Sequence, residues 1–250
     1  MRLNNLIKVV LLLLVLLNLT PYAFSQNSSG SGLDFSGDAT ITTQGISIVP
    51  ALSLGKPAAI FNLSIGKRLR FEPDLRFSLE GKPWSFLFWF RYDLFNTDKF
   101  KLRIGAHPAI NFITESAKIN GATRDMIEAR RFVAGELNSS YSITNNVSAG
   151  IYYLHGHGFD PATPANTDYI SFKSNISDIH LFQDFLLTFN PQFYYLKIDK
   201  TGGFYIASGV TLSKNNVPLS ISAFYNKALQ TDILSSNILW NISLTYTLNL

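Results

Sequence analysis

The last fourteen residues of the chain, Asn237 to Leu250, read NILWNISLTYTLNL and alternate almost without fault. Ile238, Trp240, Ile242, Leu244, Tyr246, Leu248 and Leu250 fall on one side of an extended chain. Asn241, Ser243, Thr245, Thr247 and Asn249 fall on the other, and only Leu239 is out of phase. Successive side chains of a strand point to opposite faces. The segment therefore reads as one strand between two solvents, apolar on one side and polar on the other.

A chain that closes on such a strand, with aromatics on its apolar side and an apolar last residue, resembles the last strand of Gram-negative outer-membrane β-barrels of the small, porin-like kind. The resemblance implies an all-β, antiparallel up-and-down transmembrane barrel in the cell outer membrane, with both termini periplasmic. Its implied partners are the lipid of that membrane and the outer-membrane assembly machinery, engaged through the C-terminal strand.

The other end of the chain agrees with export. Arg2 and Lys8 precede an apolar run from Val9 to Leu17, followed by Thr20-Pro21 and the small-residue pattern Ala23-Phe24-Ser25. This is the layout of a secretory signal peptide over residues 1–25. The run is short of the ~20 apolar residues that a membrane-crossing helix needs. The chain has no cysteine, which excludes a lipid-anchored cysteine, a disulfide framework and thiolate metal sites. Residues 26–33, rich in Ser and Gly, read as a flexible leader, and 34–250 as the barrel. Charged residues make up 15% of the chain, against ~25% in ordinary soluble domains, while aromatics reach 14%. The formal charge of +4 includes the basic signal segment, and no basic run interleaves with aromatics, so nucleic acid is not an expected partner.

From residue 34 on, no segment has a convincing helical period. In Leu69 to Glu80, apolar Leu69, Phe71, Leu75, Phe77 and Leu79 alternate with Arg70, Glu72, Asp74, Arg76, Ser78 and Glu80, so every charge lies on one face. Pro83 to Phe95 places Trp84, Phe86, Phe88, Phe90 and Tyr92 opposite Ser85, Leu87, Trp89, Arg91 and Asp93. Lys99 to Ile113 sets Phe100, Leu102, Ile104, Ile110 and Phe112 against Lys101, Arg103, His107 and Asn111. Short polar turns separate the runs, among them Gly66-Lys67-Arg68, Gly81-Lys82-Pro83, Asn96-Thr97-Asp98 and Gly202-Gly203. The pattern predicts strands near 34–49, 57–67, 69–80, 83–94, 99–114, 125–140, 146–156, 168–178, 184–198, 203–213, 217–227 and 237–249. Twelve is an even number, as single-chain bacterial barrels require; ten or fourteen are the alternatives, with the first strand open to splitting at Gly45 and Pro50.

Volume decides which face turns inward. A barrel of about twelve strands lined by Phe and Leu would enclose an apolar void, whereas the inverse arrangement gives the aromatic face to lipid and the charged face to the lumen. A strand of ~10 residues at ~3.3 Å each, tilted by ~40°, spans about 25 Å, the height of an outer-membrane apolar band. Only a closed barrel satisfies strand backbones in lipid. The longest connections, Glu115 to Arg124, Gly156 to Thr167 and Leu229 to Ser236, all fall on the outward side. Pro161 and Pro164 make Gly156 to Thr167 the expected mobile external loop. Trp84, Tyr92, Tyr153, Tyr195, Trp240 and Tyr246 are expected in interfacial girdles.

The expected lumen carries Arg70, Arg76, Arg91, Lys101, Arg103, Arg130 and Lys173 against Glu72, Asp74, Glu80, Asp93, Glu128, Glu136 and Asp184. Balanced charge predicts ion pairs bridging the strands, with a charged constriction as the alternative. The C-terminal wall has Asn, Ser and Thr instead, so a solute path is expected along Asn241, Thr245 and Thr247. Small residues Ala207, Gly209 and Thr211 on the inner face leave packing room. His155 and His157, two apart on one face, are weak candidates for a metal site or a general base. The H-x-S pair of outer-membrane phospholipases is not matched, because His157 stands where the serine would be. No catalytic residue and no cofactor is assigned. The sequence thus leads to a non-enzymatic outer-membrane barrel, structural or a narrow channel for small polar solutes. A lipid-modifying enzyme of lipase or deacylase type and a soluble periplasmic ligand-binding barrel are the alternatives.

Overall fold

The computed structural model describes residues 33–49, 52–119 and 122–249. The expected signal peptide, the leader as far as residue 32 and Leu250 lie outside these residues. The described residues form β1 (Asp34–Thr42), β2 (Ala58–Gly66), β3 (Leu69–Ser78), β4 (Pro83–Asn96), β5 (Phe100–Ile119) and β6 (Ala122–Ser142). They continue in β7 (Val147–Gly158), β8 (Thr167–His180), β9 (Phe185–Ile198), β10 (Thr201–Lys214), β11 (Leu219–Thr231) and β12 (Ile238–Asn249). Each strand pairs antiparallel with the next. β12 returns to β1, with Ser36 opposite Asn249 and Thr42 opposite Ser243, and the sheet closes into a twelve-stranded barrel. Closure gives every strand a partner on both sides around the barrel wall, and the β5–β6 hairpin extends beyond it, past Asn111 and Phe132.

The alternation in the sequence becomes the two faces of this wall. On β12, Trp240 and Ile242 point outward while Ser243 is buried inside. Outward aromatics recur around the barrel: Phe90, Phe172 and Trp240 are 52–57% exposed. Rings so exposed on every side of one molecule require an apolar surrounding medium.

The end of the barrel that carries β1's start and β12's finish is called here the terminal end. Its turns are short, as at residues 67–68 and 97–99. The opposite end has the 15-residue connection 43–57. The expected first strand, 34–49, stops at Thr42, and the chain beyond it turns into the barrel mouth. Gly45 allows this, because its backbone lies against the Trp84 ring and Leu54, where a Cβ would stand only 2.9–3.0 Å from both. The Trp84 indole Nε1 donates to the Leu52 carbonyl at 2.8 Å, and the Ser47 amide donates to Ser53 Oγ at 2.8 Å.

Trp84 corrects the expected outward girdle. Arg76 pairs with Ser85 but Phe77 with Pro83, so Trp84 occupies a β-bulge and its ring turns into the barrel, where it is 2% exposed. Glu115 to Arg124, expected as a loop, continues the β5–β6 ladder, with Lys118 opposite Thr123 and Ile119 opposite Ala122. Gly202 and Gly203, expected as a turn, lie in β10; the turn is at Asp199-Lys200. Gly203 faces Thr231, whose side chain a Cβ would overlap.

Replacing Trp84 with Ala removes a buried ring and a hydrogen bond, changes worth several kcal/mol in a packed site. The expected outcome for Trp84→Ala is chymotryptic cleavage after Leu52 or Leu54 at least about tenfold faster than in the parent, with the barrel still folded, as read by limited proteolysis and heat-modifiable gel migration.

Candidate functional site

The lumen divides into an ionic half and an aromatic half. The ionic half is built on β3 to β6 around Arg91. Its Nε donates to Glu136 Oε1 and its Nη1 to Glu72 Oε2, both at 2.6 Å, and the guanidinium lies 4.1 Å from the Trp89 ring centre. Arg91 and Glu136 belong to strands separated by β5, and they meet because the residue between them is Gly105. Gly105 pairs with Arg91 on one side and Glu136 on the other, and a Cβ there would be 3.0 Å from each side chain. The network extends through Ser64 Oγ donating to Glu72, Arg70 donating to Asp93 at 3.0 Å, and Arg103 donating to the same carboxylate at 2.6 Å. Arg76 binds Asp74 in a bidentate pair and stands over the Trp84 ring. His107 packs its ring 4.0 Å from that of Trp89 and is 5% exposed; its Nδ1 completes no hydrogen bond.

The aromatic half follows β7 to β10. Tyr152, Tyr169, Tyr194 and Tyr205 form successive ring contacts at 5.9, 4.9 and 4.8 Å. Their hydroxyls are placed as well: Tyr194 donates to Asn226 at 2.8 Å, and Tyr205 is 2.6 Å from Thr231 Oγ1. Ala207 supplies the space for these rings, and Ile233, from the 232–237 connection, covers them. The two halves join where Tyr152 donates to Glu136 at 2.8 Å.

A chamber of about 690 Å³ remains in the ionic half. Asp38, Asn62, Arg70, Arg76 and Arg91 contribute its polar lining, and Val49, Leu52, Phe132 and Leu154 its apolar lining. A smaller chamber of about 350 Å³ beside Lys173 is lined by amides and hydroxyls, including Asn138, Asn175, Asn190 and Gln192. Lys173 stands over the Tyr152 ring at 5.2 Å.

The other residues singled out in the sequence are placed as follows. Glu80 is exposed in the turn after β3, Asp184 is exposed in the β8–β9 turn, and Lys101 is exposed near the terminal end. Glu128 and Arg130 form a separate cluster at the opposite end, where Arg130 Nε donates to Glu128 at 3.0 Å and Nη1 to the Ala162 carbonyl. On the polar wall Thr245 is 2.8 Å from Thr40, and Thr247 lines the larger chamber. Asn241 faces no open path, because its amide donates to the Gln44 carbonyl of the inserted 43–57 connection.

No family model matches the chain, and no curated protein matches it. Among solved structures it is similar to a NanC porin, at 13% identity and a TM-score of 0.48, over 85% of this chain and 100% of that one. It is also similar to the outer-membrane expressed OmpT of Vibrio cholerae, at 10% identity and a TM-score of 0.43, over 88% and 99% of the two chains. The β domain of the Bordetella autotransporter BrkA gives 11%, 0.43, 87% and 99%. At such identities, function must be sought in the residues of the barrel itself.

A second cluster lies on the outer wall near the end opposite the termini. His155 Nδ1 is 2.8 Å from Asp168 Oδ1, which also accepts from Tyr153 Oη at 2.8 Å. His157 points outward against Phe159, with ring centres 5.0 Å apart. Among the described residues, no group of three or more Asp, Glu or His is placed to hold a metal ion. The 159–166 connection, expected to be mobile, is tethered: Asp160 accepts from Arg131 Nη2 at 2.7 Å and from its backbone amide at 2.6 Å. The side-chain bond from Arg131, with the backbone bond second, holds the Asp160 carboxyl below the usual carboxylate range.

Sequence reasoning missed Asp38, the inward Trp84 and the tyrosine ladder. Tyr152, Tyr169, Tyr194 and Tyr205 share the inward parity of their strands, and that parity was the available signal.

Two outcomes follow. Arg91→Met leaves the buried Glu136 without its cation and Glu72 with Arg70 at 4.0 Å, and is expected to cost about 3–5 kcal/mol in urea unfolding. The triple change with Glu72→Gln and Glu136→Gln should recover a large part of that loss. For Asp160, a depressed folded pKa means that the tether is fully present above the ordinary value of ~3.9 and is lost as pH falls through the lower folded value. Protection of the 159–166 amides in hydrogen exchange should therefore hold from pH 7 to about 5 and fall only below ~3.9. Asp160→Asn should show the low protection throughout.

Proposed function

We propose that this chain is an outer-membrane β-barrel whose lumen is a narrow, gated passage for small polar solutes, non-enzymatic in its main role. The observation that carries this reading is the lumen itself. A closed barrel with an apolar outer face encloses charged and polar walls around a 690 Å³ chamber, and the 43–57 connection is folded across one mouth. A purely structural wall would gain stability by filling that space with side chains. The ion-paired belt leaves hydrogen-bonding groups along the chamber, as a polar solute needs when it leaves its hydration shell. With the termini in the periplasm, the inserted connection stands at the outer mouth and acts as the gate. A soluble periplasmic barrel is disfavoured by the outward Phe90, Phe172 and Trp240.

The test is single-channel recording in planar bilayers. The refolded chain is expected to show small, flickering conductance, and Trp84→Ala, which frees the gate, should conduct several-fold more. A parent and a Trp84→Ala variant that are both silent would contradict the passage.

One observation favours a second reading, a lipid-modifying enzyme. The His155 ring is oriented by a carboxylate on the outer wall, within reach of lipid headgroups, as a general base would be. It lacks a partner nucleophile, since among the described residues no hydroxyl bonds its other ring nitrogen. Hydrolysis of phospholipid or lipid A by the refolded chain, abolished in His155→Ala/His157→Ala, would establish this activity; no hydrolysis by the parent ends it.

A further inference from the structure

The belt around Arg91 contains one carboxyl group that no described cation neutralises. Arg70 is bonded to Asp93, Arg76 to Asp74, Arg91 to Glu72 and Glu136, and Arg103 to Asp93. Asp38, which lines the same chamber, accepts from Asn62 Nδ2 at 2.9 Å and from Thr40 Oγ1 at 3.4 Å, both neutral donors. No described cation stands within ion-pair distance of it. Five carboxylates, Asp38, Glu72, Asp74, Asp93 and Glu136, thus face four guanidiniums. Of the other luminal candidates, Lys173 lines the second chamber, over the ring of Tyr152, and Lys101 is exposed near the terminal end. A half-buried carboxylate without a cation is costly, and a barrel that keeps one gains when a cation arrives.

The chamber around Asp38 is not built for a bare ion. Its volume lies within the range of small-molecule sites, and Val49, Leu52, Phe132, Ala134 and Leu154 give it apolar lining. Anions are disfavoured, because each of these four guanidiniums is already paired with a carboxylate. We propose that this chamber binds a small organic cation with an apolar body, an alkyl- or arylammonium, whose ammonium pairs with Asp38 while its body lies against the apolar lining. The proposal rests on the reading of the lumen as a solute passage and names the solute class.

The test uses the full refolded barrel in detergent, with 2-phenylethylammonium as probe and 2-phenylethanol, 3-phenylpropionate and calcium chloride as comparisons. Fluorescence of Trp89, which lines the chamber, and of Trp84, which packs on the lining residues Leu52 and Arg76, reports occupancy. The expected result is saturable binding of the ammonium, weaker by at least about tenfold in Asp38→Asn, with the neutral alcohol bound equally poorly by both. Leu154→Trp, which fills space at the apolar lining without touching the charge, should weaken the ammonium by a similar factor. Equal binding by the parent and Asp38→Asn, preference for the carboxylate, or saturation by calcium at concentrations where the ammonium fails would overturn the proposal. Bilayer recording separates the two claims. A barrel that binds the ammonium through Asp38 but conducts nothing contradicts the passage alone. A barrel that conducts, with an ammonium preference absent and unaltered in Asp38→Asn, contradicts the solute class alone.

Discussion

The pairing of β1 with β12 is the constraint on which everything else in this molecule depends. An apolar medium offers no partner to a backbone amide or carbonyl, so a wall with aromatic residues on its outer face has to close on itself. Seven residues of β1, Ser36 to Thr42, meet Ser243 to Asn249 and complete the ring. Once the ring is closed with its apolar side outward, the polar face of the alternating pattern is sent into one enclosed space. The lumen is therefore crowded with charge as a consequence of closure.

How that space is filled differs from one side to the other. On β3 to β6 the charges neutralise each other across strands, and Gly105 is the device that lets Arg91 and Glu136 meet over an intervening strand. On β7 to β10 the space is taken by tyrosine rings in successive contact, packed with Ala207 and Ile233. Each filling suits its wall: the long Arg91 side chain reaches Glu136 where only a glycine stands between them, while the rings need a small residue beside them. The chamber lies between the two fillings and the inserted 43–57 connection.

Much of this was legible in the sequence. Twelve strands, their antiparallel order and the inward charges of β3, β4 and β5 follow from the period-two pattern, because in a membrane barrel each residue's parity also chooses its solvent. The failures have physical causes. Trp84 shares the parity of Phe86 and Phe88, but a bulge shifts the register at that point and turns it inward, and a bulge leaves no mark on an alternating run. The inserted connection reads as a continuation of β1, since its residues are apolar for the inside of the mouth. Gly202 and Gly203 resemble a turn, yet they are small because Tyr195 and Thr231 press on them. The tyrosine ladder required knowing which strands are neighbours at which height, which only register supplies.

The chain contains three tryptophans, and they divide between the two faces. Trp84 and Trp89 are 2% and 6% exposed inside the barrel, and Trp240 is 56% exposed on its outer wall. Quenching of single-tryptophan variants by brominated phospholipid therefore tests most directly the claim that this barrel turns its apolar face to lipid and its charges inward. Strong quenching of Trp240 with little effect on Trp84 and Trp89 is the predicted result. Trp89 quenched as strongly as Trp240, or Trp240 not quenched at all, would contradict it.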